Sequence, residues 1–280
     1  MGLPGFYIDE IIKTALKEDI NYIDTTTDLM ISEGHTSSAD IFAKAEGVLC
    51  GIEVAVRVFT LLDGGIRYSI FKKDGDRIKP GDKIAVIEGP TRALLKGERT
   101  ALNLLQHMSG IATQTDRCVQ IVKGTKAAIT DTRKTMPGLR ALQKYAVAIG
   151  GGKNHRFNLS DGAMLKDNHI DAAGGITAAV RAVRERLGHM VRLEVETRNL
   201  NEVKEAIKAG ADVIMLDNMT CEQMREAVKL AAGRVLLEAS GGITGENLRA
   251  VAETGVDIIS IGALTHSVKA LDISMKIDAR

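Results

Sequence analysis

The sequence predicts an α/β barrel over its second half, preceded by a smaller α+β domain. Three observations carry that expectation. After Thr125, a short apolar run, a polar or glycine-rich loop and a helical window follow one another six times, the rhythm of strand–loop–helix units around a parallel sheet. Glycine is abundant at 28 residues and proline rare at 4, which suits many tight turns and argues against a disordered linker. Aromatics are scarce, with five Phe, four Tyr and no Trp, so Ile, Leu, Val, Ala and Met must build the core. Six units are many for a doubly wound sheet and few for a complete eight-unit barrel. Their regular spacing favours the barrel.

The elements follow in order. Residues 8–19, IDEIIKTALKED, space apolar side chains as a helix does. Residues 38–50, SADIFAKAEGVLC, read as two strands separated by a glycine turn, and IEVAVRVFTLLDGG as a helix stopped by glycines. RYSIF, a KKDGD turn and DKIAVIEG give further strand signals. From Pro90 the pattern becomes one long helix, with a break expected near Ser109 and Gly110 because uninterrupted helices beyond about 25 residues are unusual. The six repeats come next: AAIT, GAMLK, VRLEVE, DVIML, VLLEAS and DIISI, each followed by a loop, with a possible last strand in LDISMKI.

Net charge is +1, so no global field draws the chain to nucleic acid or an anionic membrane. Cys50, Cys118 and Cys221 are odd in number and widely spaced, and read as buried small residues in a reducing compartment. The N-terminal stretch is amphipathic and acidic, with no basic region ahead of an apolar core, and nothing approaches 18 consecutive apolar residues. The expectation is a cytoplasmic protein.

In a barrel, residues at the C-terminal ends of strands gather over one mouth whatever their separation in sequence. Arg133, Lys134, Lys166, Glu196, Asp217, Ser240 and Gly262 all fall at or just past predicted strand ends. With His155 and Arg156 the set holds two planar forks, two point charges and an imidazole. Such a crowd implies a substrate with several negative charges. Glu194 and Glu196 point to the same side of their strand. Glu196 and Asp217 suit Mg²⁺, which is held by a carboxylate or two together with substrate phosphates, whereas Glu194 also reads as a salt-bridge residue of the upper barrel. No zinc pattern is present. LEASGGI and SIGALTHS occupy the last junctions, where backbone N–H groups of glycine-rich turns can cradle phosphate. His107 and His169 read as hydrogen-bonded packing residues.

The blocks ERTALNLLQHMSGIAT, DTRKTMPGLR, KYAVAIGGGKNHRFNLSDGAMLKDNHI, LEVE, DVIMLDNM, LEASGGI and GVDIISIGALTHS closely resemble the quinolinate phosphoribosyltransferase family over nearly the whole chain. The resemblance implies an open (β/α) barrel with an N-terminal α/β sandwich domain. The division falls at 1–122 and 123–280, with 271–280 packing back near the first domain. It implies transfer of a phosphoribosyl group from 5-phosphoribosyl 1-pyrophosphate to quinolinate, with loss of pyrophosphate and carbon dioxide, for NAD synthesis. It implies Mg²⁺ and a homodimer in which Arg99 is donated to the neighbour's site. Thr132, Arg133, Lys134, His155 and Arg156 resemble the dicarboxylate pocket, and Lys166 the lysine near the reacting centre. Glu196 and Asp217 resemble the carboxylates facing ribose and metal. Ser240, Gly241, Gly242, Gly262 and His266 resemble the phosphate site. One departure is visible: EDINYIDTTTD carries Ile23 before Asp24, where the family has a glycine-containing acidic pattern.

The residues alone leave three rivals. A transferase acting on nicotinate without decarboxylation, or a related protein of molybdenum metabolism, would keep the fold. An aldolase-like lyase would form a Schiff base on Lys166. A binding protein would hold the ribosyl donor without turnover.

Overall fold

The computed structural model describes residues 3–278. In chain order its elements are α1 (Gly5–Ile20), α2 (Thr25–Met30), β1 (Thr36–Ala43), β2 (Gly47–Val48), α3 (Ile52–Leu62), β3 (Arg67–Ile70), β4 (Arg77–Ile78) and β5 (Lys83–Pro90). Then come α4 (Thr91–Val122), β6 (Ala128–Thr130), α5 (Arg140–Ile149), β7 (Ala163–Leu165), α6 (Asp167–Ala173), α7 (Ile176–Arg184), β8 (Leu193–Thr197) and α8 (Leu200–Ala209). The chain closes with β9 (Val213–Asp217), α9 (Cys221–Ala231), β10 (Leu236–Ser240), α10 (Leu248–Ala252), β11 (Ile258–Ser260), α11 (Ala263–His266) and β12 (Ile273–Asp278).

Two compact units interleave along this chain. One comprises Met1–Asp116, Thr135–Gly151 and Leu264–Arg280, the other Arg117–Lys134 and Gly152–Ala263. A single cut at 122/123 divides the sequence, whereas the contacts assign α5 and the C-terminal segment to the first unit.

The first unit holds an antiparallel sheet of order β12-β1-β5-β3. Strand β1 alternates buried and half-buried side chains along most of its length, with Ala39, Ile41 and Ala43 inside, as a strand packed more tightly on one face does. The two strands read from 38–50 do form but do not pair with each other. β1 lies between β5 and β12, and β2 pairs with β4. The expected break in the long helix is absent: α4 runs unbroken from Thr91 to Val122. Ser109 Oγ accepts from Cys50 N at 3.0 Å and donates to Cys50 O at 3.1 Å. A Cβ on Gly110 would collide with the Lys269 carbonyl oxygen. The pair thus permits close approach of backbone to helix rather than ending it.

The second unit is a six-stranded sheet of order β6-β11-β10-β9-β8-β7, with every neighbouring pair parallel. Strands β6 and β7 do not pair with each other, so the barrel is open there. Residues 152–162 run through that region, and Lys153 makes a lone parallel bridge to Thr130. Capped helices return the chain between strands: Asn199 accepts from Asn201 N and Glu202 N at the start of α8, and Thr220 with Gln223 forms a capping box on α9. One side of the sheet buries Val195, Ile214, Leu216, Leu237, Ala239 and Ile259. The opposite side chains form the site.

Candidate active site at the strand ends

Alternation along a strand puts every second side chain on one face, and here that face becomes polar toward the C-terminal ends. Glu196 on β8, Asp217 on β9, Ser240 on β10 and Ser260 on β11 border one cavity of about 300 Å³. Thr132, Arg133 and Lys134 join them from the loop after β6, His155 and Arg156 from the 152–162 connection, and Lys166 from just past β7. Residues that the sequence scatters from Thr132 to Ser260 therefore share one mouth.

Each group is held by its local structure. Asp131, fully buried at the end of β6, accepts from His155 N at 2.9 Å and from Asn154 Nδ2 at 2.7 Å. That ties the DTRK loop to the NHR segment. Arg156 donates through Nη1 to the Gly162 carbonyl at 2.8 Å. Burial, and then the nearby Arg133 charge, hold its pKa below the usual guanidinium range, although an arginine stays cationic at any working pH. The Lys166 ammonium lies 3.4 Å from Glu196 Oε2 and is half exposed, so this pair contributes no more than about 1 kcal/mol. Asp217 Oδ2 accepts from Asn218 Nδ2 at 2.9 Å. After β10, Gly241 and Gly242 both have positive φ, and a Cβ on Gly241 would collide with the Asn218 side chain. Only glycine fits that turn beside Asp217.

Below the mouth sits a buried acidic pair. His155 Nε2 lies 3.1 Å from Glu194 Oε2 and 3.6 Å from Glu238 Oε2. Glu238 is 1% exposed. Burial, and next the Glu194 charge, push its pKa up to about 7. The second oxygens, Glu194 Oε1 and Glu238 Oε1, are buried without a hydrogen-bond partner, a cost of about 1–3 kcal/mol or more for each. Sequence reasoning passed over Glu238, Ser260 and Asp131. The available signal was a carboxylate inside the apolar run VLLEAS, two residues before Ser240 and so on the same inner face.

Gly262 lies just past β11 and does not border the cavity. Arg99, exposed on α4, and His266, at the end of α11 with Nδ1 2.7 Å from Ser267 Oγ, belong to the first unit. His107, half-buried with Nε2 2.9 Å from Gln143 Nε2, packs as read, whereas His169 is exposed and does not pack, its Nδ1 accepting from Lys166 N at 3.0 Å. All three cysteines are thiols outside any disulfide, with Cys50 and Cys118 buried and Cys221 partly exposed.

Two family models match the chain: the N-terminal domain of quinolinate phosphoribosyl transferase over residues 24–109 and its C-terminal domain over residues 111–276. The chain is 50% identical over 260 residues to a probable nicotinate-nucleotide pyrophosphorylase [carboxylating] of Bacillus subtilis, covering 93% of this chain and 90% of that protein. It is 44% identical over 272 residues to the nicotinate-nucleotide pyrophosphorylase [carboxylating] of Mycobacterium leprae, covering 95% of each. Its fold is similar to the crystal structure of NadC from Streptococcus pyogenes, with TM-score 0.95 and 45% identity over 99% of this chain and 98% of that one.

Proposed function

The chain belongs to the quinolinate phosphoribosyltransferase family, and from that premise we propose that its strand-end cavity is where quinolinate meets 5-phosphoribosyl 1-pyrophosphate. The products are nicotinate mononucleotide, pyrophosphate and carbon dioxide, which makes the chain an enzyme of NAD synthesis. The observation that carries the reading is the meeting of Arg133, Lys134, Arg156 and Lys166 with Glu196 and Asp217 around one cavity. Two carboxylates, a phosphate and a pyrophosphate are the charges such a mouth would balance.

Arg133 and Arg156, with Lys134, Thr132 and His155, hold the pyridine dicarboxylate, since guanidinium forks match carboxylates edge to edge. Ser240 and the turn at Gly241 and Gly242, with Gly262 further on, hold the phosphate of the ribosyl donor through hydroxyl and backbone groups. Lys166 stands by the reacting centre and Glu196 and Asp217 face the ribose hydroxyls. Pyrophosphate leaves the ribose carbon with its bonding pair, and the pyridine nitrogen supplies the new bond. The carboxylate beside that nitrogen then departs as carbon dioxide, its electron pair drawn toward the quaternised nitrogen, and a proton takes its place on the ring. The protein positions the two rings and balances charge as it moves. No covalent nucleophile is needed.

The donor set fits Mg²⁺: Glu196 and Asp217 offer hard carboxylate oxygens at adjacent strand ends and would hold the ion together with substrate oxygens. Bound there, the ion would neutralise charge on the departing pyrophosphate. The active form is a homodimer that brings Arg99 of one chain to the dicarboxylate pocket of the other, supported by the exposure of Arg99 on α4. No helix among the described residues is long and apolar enough to cross a membrane, and the reading places the enzyme in the cytoplasm. Offering quinolinate and nicotinate separately with the ribosyl donor and Mg²⁺ tests the substrate. Turnover of quinolinate alone is expected, and turnover of nicotinate alone would overturn the assignment.

A further inference from the structure

The mouth is not the only cavity inside the second unit. Another of about 280 Å³ is bordered by the first residues of strands, Ala128, Ala163, Val213 and Ile258, and so lies toward the opposite end of the barrel. His155, Arg156 and Glu238 border both cavities. They form the partition between them, with Glu194 lining the lower side.

At this partition His155, Glu194 and Glu238 bring a ring nitrogen and two carboxylate oxygens within 4.8 Å of one another, a spacing that would admit a metal ion. The hydrogen bonds around the imidazole argue otherwise. The Arg156 backbone N–H donates to His155 Nδ1 at 2.8 Å, so Nδ1 presents its lone pair and the ring proton sits on Nε2. That proton points at Glu194 Oε2 and Glu238 Oε2, 3.1 and 3.6 Å away. A metal at Nε2 would drive the proton to Nδ1, where it would face the Arg156 N–H. The cluster is arranged for a hydrogen bond.

We propose that Glu194, which accepts from His155 Nε2–H at 3.1 Å, and Glu238, whose carboxylate lies beside it 3.6 Å from the same nitrogen, are positioning residues that hold His155 and thereby fix Arg156 for the substrate carboxylate. The backbone of His155 is held by Asp131 at 2.9 Å and its Nδ1 by the Arg156 amide at 2.8 Å, so Glu194 at Nε2 completes a three-point clamp on this residue. Turning the ring would release the Arg156 amide from Nδ1, and the Arg156 guanidinium borders the mouth. Two buried carboxylates side by side are poor packing groups. Their place directly below Glu196 and Ser240, two residues back on each strand, gives them a task the core does not require. The kinetic half of the proposal rests on reading the mouth as the dicarboxylate site. The tautomer half does not.

Nitrogen-15 NMR of histidine-labelled protein, with the His155 signals assigned by their loss in His155→Gln, tests the clamp. The native spectrum should show His155 protonated at Nε2 and bare at Nδ1. Glu194→Gln keeps an accepting oxygen and should preserve that tautomer, whereas Glu194→Leu and, to a smaller degree, Glu238→Leu should mix the two forms. In steady-state kinetics, Glu194→Leu should raise KM for quinolinate about tenfold, leave KM for the ribosyl donor within about twofold, and be largely rescued by Glu194→Gln, as expected for loss of a charge-assisted hydrogen bond. A native Nδ1-protonated ring, a tautomer indifferent to the leucine variants, or a tightly held divalent metal that Glu238→Leu loses would each overturn the clamp. If the leucine variants do not fold, the native and glutamine spectra still decide it. If the tautomer responds but both KM values rise together, the hydrogen bond stands and the carboxylate reading of the mouth falls.

Discussion

Replacing Asp131 with alanine should loosen the site and destabilise the protein together. Asp131 is fully buried and accepts two hydrogen bonds, from His155 N at 2.9 Å and Asn154 Nδ2 at 2.7 Å. A hydrogen bond to a charged acceptor contributes about 1.5–3 kcal/mol. Two sharing one carboxylate should cost ~3–5 kcal/mol when removed. At about 2–4 °C of Tm for each kcal/mol in a chain of this size, the loss is on the order of 10 °C. Thermal and urea unfolding followed by circular dichroism measures it, and KM for quinolinate should rise in the same variant because the NHR segment is no longer anchored. Asp131→Asn keeps the acceptor for His155 N but sets two amide NH₂ groups face to face, so its cost should be intermediate. Adding Asn154→Asp supplies a new acceptor opposite and should recover part of the loss. A change below about 1 kcal/mol in Asp131→Ala, or no recovery in the double variant, would refute the view that this carboxylate ties the two loops.

Gly110→Ala should destabilise although it sits inside a helix: the gain of about 1 kcal/mol in helix propensity is outweighed by the clash with Lys269 O, and a raised Tm would show that the two segments can part freely. The raised pKa of Glu238, about 7 against the usual carboxylate value, means that the folded chain binds more protons than the unfolded one between roughly pH 4.5 and 7. Stability should therefore fall as pH rises through that window, and Glu238→Gln should flatten the fall; an unchanged pH–stability slope would contradict it. Mixing Arg99→Ala chains with Lys166→Ala chains should restore activity that each parent lacks, because a symmetric dimer then contains one site with both defects and one with neither. No recovery after verified subunit exchange would remove Arg99 from its neighbour's site.

The six parallel strands and the ring at their ends were legible because both are local patterns. An apolar run ending in DTRK, LKDNH, LEVE, VIMLD or LEASGG marks a strand and its C-terminal loop without reference to anything distant. Pairing was not legible in the same way. LDISMKI reads as a strand, but its place beside β1, more than 230 residues earlier, depends on a long-range register: Ser38 opposite Asp278 through Ala43 opposite Ile273. The unbroken α4 escaped for the same reason, since Gly110 looks like a helix breaker until Lys269 packs against it. Glu238 was hidden by its surroundings. In VLLEAS it looks like one charge in a hydrophobic strand, and its meaning comes from His155 and Glu194, which reach it from other elements. Asp131 lay in plain sight at the head of DTRK, but its partners are 23 and 24 residues away.

Phosphoribosyl transfer to quinolinate at the cation-lined mouth of the second unit requires loss of the carboxylate beside the ring nitrogen. Quinolinate labelled with carbon-13 in that carboxylate, incubated with enzyme, 5-phosphoribosyl 1-pyrophosphate and Mg²⁺, tests it most directly. The account predicts labelled carbon dioxide, pyrophosphate and nicotinate mononucleotide in equal amounts, and their joint loss in Lys166→Ala with the fold intact. Label retained in a dicarboxylate mononucleotide product, or undiminished turnover in the folded Lys166→Ala protein, would contradict it.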